Sequence, residues 1–322
     1  MLWYIIILIV ILLLIICMKK YKHYEHYDNY DNYVSVLDDS AGFYSQFFFL
    51  LNHYINCKHH NKNFIINDDN WIFKSKLGWN DYFEPVILKF YDSCVDKNYY
   101  HSDIIVENPI SEYKNNIHNI YIYNEKTQKE INTIKNKFGL IDKKYDSIFI
   151  RRGDKLIDES VYINENNYIE LLLTKNPLCS KIFLQTDDYN CYLNLLEYIK
   201  INQLNIILHT LCNENMVGVM VTNIQKDKLK STKKNSEYLS TIKDKLNNSK
   251  TVEEMNHDEK YKHVIDMIVG VDIVCNSNIC VTDYQSNVAR FIKLNHNNSE
   301  NVYDIYNSSI DYNKKICPSY SF

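Results

Sequence analysis

Much of the chemistry legible in this chain lies in five consecutive residues, Arg151-Arg152-Gly153-Asp154-Lys155. They leave the carboxyl end of Asp146-Ser-Ile-Phe-Ile150, whose apolar run reads as a short buried strand. In open α/β sheets, ligands bind beyond the carboxyl ends of the strands. A guanidinium fork grips phosphate oxygens bidentately and, unlike an ammonium, is always charged. Paired arginines at a strand end therefore fit a site that holds a phosphorylated leaving group. The same five residues could also make a surface Arg–Asp salt-bridge cluster, so they must be weighed with the elements around them.

Strands and helices alternate after residue 146. The pattern predicts strands over 148–150, 181–184, 206–208 and 279–282, with helices over 168–173, 189–200 and 264–274. Alternation of this kind argues for a parallel sheet. Ser286 opens a further helix over 287–293, and a helix start at a strand end is a ready anion site. Residues 226–262 are charged and weakly apolar, and read as a mobile loop with some helix. Before 146, an apolar helix over 43–55 precedes a strand at 63–66 and the polar loop 67–71. Asp68-Asp69 in that loop has no further metal ligand near it in sequence. No GxGxxG or GxxxxGK[ST] pattern occurs, so neither a dinucleotide fingerprint nor a P-loop is present.

The chain has 322 residues, enough for two modest domains, and a net charge of -4 that makes nucleic acid an unsuitable partner. Only 6 Gly and 4 Pro stand beside 28 Tyr, a bias expected of an AT-rich coding genome. The nine cysteines show no CxxC spacing, so neither a zinc site nor a disulfide framework is expected. Residues 2–17 are continuously apolar and precede Lys19, Lys20 and Lys22. We read 1–20 as an uncleaved single-pass membrane anchor and 21–35 as a flexible tether. The lysines after the segment favour a cytosolic domain, the sequons at Asn247, Asn297 and Asn307 a lumenal one of the ER or Golgi, and the orientation stays open.

Four blocks, in order, resemble the α1,6-fucosyltransferase family of core N-glycan and nodulation-factor enzymes. They are Ala41-Gly-Phe-Tyr-Ser-Gln46; Phe64-Ile-Ile-Asn-Asp-Asp-Asn-Trp71 with Gly78-Trp79 and Tyr82-Phe83-Glu84-Pro85; Phe149-Ile-Arg-Arg-Gly-Asp-Lys155; and Phe183-Leu-Gln-Thr-Asp-Asp188 with Tyr284-Gln-Ser-Asn-Val-Ala-Arg290. The resemblance implies an α/β, GT-B-like glycosyltransferase with two Rossmann-like domains, an acceptor-side domain over 36–145, a nucleotide-sugar domain over 146–300 and a tail over 301–322. It also implies an inverting enzyme that takes GDP-fucose as donor, with no metal or other cofactor, and an oligosaccharide or glycoprotein as acceptor, α1,6-linked to GlcNAc. The Arg-Arg-Gly-Asp run is shared with α1,2- and protein O-fucosyltransferases, so these remain alternatives, as does a degenerate nucleotide- or glycan-binding protein without turnover.

Residue by residue, the family's phosphate-binding arginine falls on Arg151, its lysine on Lys155 and its general base on Glu159, with Asp158 the substitute if the register slips. Arg152, Ser286 and Asn287 fall in the donor-binding set, and Asp154, Asp187 and Asp188 on acidic positions of a structural kind. Phe149 stands where the family has a guanine-contacting histidine. The family's guanine-reading carboxylate matches Asp272, with Asp266 as rival. Fucosyl transfer passes through an oxocarbenium-like state while charge builds on the departing diphosphate, which fixed cations and helix N–H groups must stabilise. The acceptor hydroxyl needs a base within hydrogen-bond reach.

Overall fold

The computed structural model describes residues 32–39, 41–89, 108–140, 144–158 and 160–306. Two parallel sheets organise them. In the first, β1 (Asn32–Val36) pairs with β2 (Asn63–Asn67), Asn32 opposite Asn63 and Val36 opposite Asn67. Parallel neighbours need a long crossover, and α1 (Phe43–His59) supplies it. Phe43, Phe47, Phe48, Leu50, Leu51 and Ile55 leave little of α1 facing water, so it is a core helix.

The second sheet holds β3 (Asp146–Ile150), β4 (Lys181–Thr186), β5 (Ile207–Thr210), β6 (Cys280–Thr282) and β7 (Val302–Asp304). Their spatial order is β5-β4-β3-β6-β7, all parallel. Counted from β3, that is the 3-2-1-4-5 order of dinucleotide-binding sheets, with its switch point between β3 and β6. Successive side chains alternate faces. Ile148, Ile150, Ile182, Leu184 and Val281 join one apolar cluster with α5 (Glu165–Lys175) and α6 (Tyr189–Ile201). Phe149, Phe183 and Cys280 point to the other face, toward α9 (His257–Cys275) and α10 (Asn287–Asn295). Burial on both faces explains why these strands read as continuous apolar runs.

That second apolar cluster does not stop at a domain border. It runs from Leu37 through α1, α2 (Ile110–Ile120) and α3 (Glu125–Phe138) into α9, α10 and Val302. Phe291 on α10 is the joint: its ring centroid lies 4.6 Å from Tyr44, 5.3 Å from Phe47 and 4.7 Å from Tyr121. The block Gly78 to Pro85 serves the same core. Trp79 stacks on Phe83 at 4.3 Å, and Asp68 accepts the Trp79 N–H at 2.6 Å. Asp68 is thus a brace for the turn before Trp79.

Several expectations change. Residues 32–35 belong to β1, where a tether had been expected, and β7 extends the nucleotide-side sheet past residue 300. Residues 226–262 are mostly helical: α7 (Asn223–Ser231), α8 (Ser236–Asn248) and the start of α9. Leu229, Leu239, Ile242 and Leu246 from them cover Leu156 and Ile157 of α4 (Lys155–Asp158). The single-pass membrane location is corrected. Among the described residues no helix is long and apolar enough to cross a membrane. The longest, α9, spans 19 residues but carries Asp258, Glu259, Lys260, Lys262, Asp266 and Asp272. Residues 1–20, read as the anchor, lie outside the described residues.

A continuous core predicts cooperative unfolding. Phe291→Ala should lower stability by about 3–5 kcal/mol. In urea, tyrosine fluorescence and far-UV circular dichroism should still report one coincident transition; two separated transitions would show that the halves have independent cores.

Candidate active site

The switch point sets where a site can form. Chains leaving β3 and β6 diverge there, and a cleft of about 1160 Å³ opens beyond their ends. Arg151, Asp154 and Lys155 enter it after β3, and Ser286, Asn287 and Arg290 after β6. Residues 41–45 and Phe73 close it from the other side. Asn287 Nδ2 donates to Ser45 Oγ, tying the start of α10 to the start of α1. The caps of both helices, Gly42 and Ser286, make no side-chain capping bond. The Ser286 hydroxyl is buried and has no hydrogen-bond partner. Two helix starts therefore present N–H groups to one space, with a hydroxyl among them that lacks an acceptor or donor.

Arg151 is held, not loose. Its Nη2 lies 2.6 Å from Asp154 Oδ1 and 3.3 Å from the Val219 carbonyl oxygen, and its Nη1 pairs with Asp187. Asp187 also accepts the Arg152 N–H at 2.7 Å and the Val219 N–H at 3.0 Å. Asp154 takes a further bond from Gln225 Nε2 at 2.9 Å. The turn carrying these residues depends on two glycines. Gly153 has φ +56°, and a Cβ there would lie 2.4 Å from both N and O of Val219. Gly218, at φ +112°, would put a Cβ 2.5 Å from the Gly153 Cα. Two loops thus pack backbone to backbone, and Asp154 N–H donates to Val219 O at 3.1 Å across the contact.

Arg152 turns the other way and is corrected as a donor-binding candidate. Only 2 % exposed, it donates from Nη2 to Glu165 Oε1 at 2.6 Å and to the Ile163 carbonyl at 2.7 Å. Its guanidinium lies 4.6 Å from the Tyr162 ring centroid. Adjacent residues at a strand end face opposite sides of the sheet, so only one of the pair can look into the cleft. Tyr162 and Asn194 also donate to Glu165. Burial alone would raise the Glu165 carboxyl, but the Arg152 charge and these bonds outweigh it and hold it below its ordinary value. Asp188 is structural: it caps α6 through the Asn190 N–H at 3.0 Å and accepts the Tyr238 hydroxyl.

Asp272 is corrected too. It pairs with Lys135 of α3 at 2.5 Å and does not line the cleft. Asp266 does line it, beside Lys262 and His263. Six residues advance an α-helix by roughly 600°, so the two carboxylates point to different sides of α9. Lys262 holds Asp266 at 2.5 Å, yet burial leaves the carboxyl raised above its ordinary value. Phe149 lies in the cleft floor and joins the apolar cluster beneath it. Glu159 lies outside the described residues. Sequence reasoning missed the 216–219 loop and His263, and gave no role to Ser45 or Arg290, although both stand in the quoted blocks. With 6 glycines in the chain, Gly218 was the one available signal for that loop.

No family model and no curated protein matches the chain. Solved structures similar to it include NodZ α-1,6-fucosyltransferase soaked with GDP-fucose, at TM-score 0.49 and 8% identity, over 83% of this chain and 93% of that one. Fucosyltransferase NodZ from Bradyrhizobium is similar at TM-score 0.48 and 8% identity, over 83% and 93% of the two chains. NodZ co-crystallised with GDP is similar at TM-score 0.46 and 9% identity, over the same 83% and 93%. These are proteins of the family whose motifs the sequence resembles, and at such identities the likeness assigns no role to any residue.

Two outcomes test the site's framework. Gly153→Ala should cost about 3 kcal/mol, from a left-handed backbone and a clash with Val219, as read from urea midpoints. Glu165→Gln should cost about 3–5 kcal/mol at pH 7, because Arg152 is left buried without its counter-charge. The Glu165 contribution is complete above its unfolded value of 4.5 and fades as pH falls through the depressed folded value. The variant should therefore lose less stability than the parent between pH 5 and pH 3, which parallel urea titrations would check.

Proposed function

We propose that this chain is a GT-B-like glycosyltransferase that transfers fucose from GDP-fucose to a glycan hydroxyl with inversion, forming an α1,6 link to GlcNAc. The observation that carries the reading is the meeting, in one cleft at the β3–β6 switch point, of the Arg151 fork and the α10 start with its unpartnered Ser286 hydroxyl. It gains weight from the order of the four sequence blocks that resemble the α1,6-fucosyltransferases. A nucleoside diphosphate laid across this switch point would have a guanidinium on one side and helix N–H groups on the other.

In the proposed step the acceptor hydroxyl gives its proton to Glu159 as its oxygen bonds to the anomeric carbon. The bond from that carbon to the terminal phosphate oxygen breaks, and GDP leaves carrying the electron pair. Arg151 and Lys155 offset the charge that develops on the leaving group, and Ser286 with the backbone N–H groups of α10 orients it. Asp154 and Asp187 keep the guanidinium aimed before any donor arrives, so little reorganisation is needed at the reaction. Donor-set chemistry of this kind needs no metal or further cofactor.

A binding protein without turnover is the second reading, favoured by one observation: Arg151 already faces two carboxylates, which offset its charge. Metal-free calorimetric titration of the full chain with GDP, UDP, ADP and CMP, followed by transfer assays with GDP-fucose and GlcNAc-terminated glycans, separates the two. GDP-selective binding with fucosyl transfer is the expected result. GDP binding with no transfer to any glycan would favour the second reading, and selectivity for another nucleotide would overturn the donor. Arg151→Ala should weaken GDP by roughly 10–100-fold, and Arg151→Lys by less. Glu159→Gln should keep the parent affinity for GDP while lowering transfer about 10²–10⁴-fold. Normal turnover in that variant would move the base to another residue.

A further inference from the structure

Among the cleft's side chains that have none of these roles, one on α9 stands out. On α9, Glu259, Lys262, His263, Asp266 and Met267 follow one another at helical spacing along the face that looks into the cleft. The charged members of that stripe are paired: Glu259 with Lys250 at 2.6 Å, Asp266 with Lys262 at 2.5 Å. His263 is not. Among the described residues nothing hydrogen-bonds its imidazole, and the charge it feels is that of Arg151.

We propose that His263 contacts the donor's diphosphate, its ring N–H donating to a phosphate oxygen beside the Arg151 fork. This rests on the nucleotide-sugar reading of the cleft given above. The argument turns on charge. Basic side chains lining the cleft nearly balance the acidic ones, six against five, so no strong field draws an anion in. A diphosphate must then be held by donors aimed at it. Burial and the neighbouring guanidinium push the His263 imidazole down to about 4, so it is neutral near pH 7. A neutral ring adds an N–H without a second repelling cation next to Arg151. So low a basicity also makes it a poor general base at neutral pH. An unpaired donor next to the anion-gripping fork is therefore a phosphate contact rather than a proton acceptor.

Calorimetry on the full chain tests this with GDP as probe and guanosine measured by displacement of GDP. His263→Ala should weaken GDP about tenfold and leave guanosine unchanged, since one hydrogen bond to a charged group is lost. His263→Asn, whose amide keeps an N–H, should stay within about threefold of the parent for GDP. Parent-like GDP affinity in His263→Ala would overturn the proposal. So would an equal loss for guanosine and GDP, which would mark a base contact or a purely structural role. If the parent protein binds no GDP, the donor reading itself falls and this contact with it. Parent binding of GDP without effect of the His263 variants removes this inference alone.

Discussion

Asp187 is the point through which the carboxyl ends of the central strands are held in common. One carboxylate oxygen accepts the Arg152 N–H, the other accepts the Val219 N–H and meets the Arg151 guanidinium. Its own carbonyl accepts the Gly218 N–H at 2.7 Å. Three segments that are distant in sequence therefore share one carboxylate at the cleft's edge. A carboxylate has lone pairs for several donors at once, so the loop after β3, the end of β4 and the 216–219 loop are tied to one another through it. The buried Arg152–Glu165 pair, on the opposite face of the same strand end, anchors the far side of that junction.

On the proposed function, this arrangement would let a cleft with nearly balanced charges select an anion. Asp154 and Asp187 cost the site some attraction but fix the fork's direction. What lies opposite is neutral and directional: the start of α10, the Ser286 hydroxyl and the edge of α1. Recognition built this way depends on geometry more than on long-range steering, and it should be less sensitive to salt than a basic groove would be.

The central strands were legible because burial on both faces gives unbroken apolar runs, as in residues 148–150 and 279–281. Ser286 was legible as a helix start because serine favours the position before a helix, although its hydroxyl makes no capping bond here. What sequence could not resolve was facing. Arg151 and Arg152 are the same residue type one position apart, and only the packing of Tyr162 and Glu165 reveals which is enclosed. Asp266 and Asp272 differ by helical phase, which spacing to Ser286 does not report. β1 and β7 were missed because each gains its strand geometry from a neighbour far along the chain, Asn63–Asn67 and Cys280–Thr282. The α7–α8 region misled through its charge: a few residues such as Leu239 and Leu246 suffice to seat two helices on a small satellite core.

The backbone contact between Gly153 and Gly218 has a consequence for how this protein can change over generations. Each glycine leaves out the side chain that would push the other's loop away, so the strain of altering one is relieved in part once the other has moved. The two positions behave as a single locus: either change alone meets nearly the full penalty, and the second then adds less than it would by itself. Mutational drift, one step at a time, meets its steepest barrier at the first step, and a turn that aims a guanidinium is sheltered by a pair of residues that have no side chains at all.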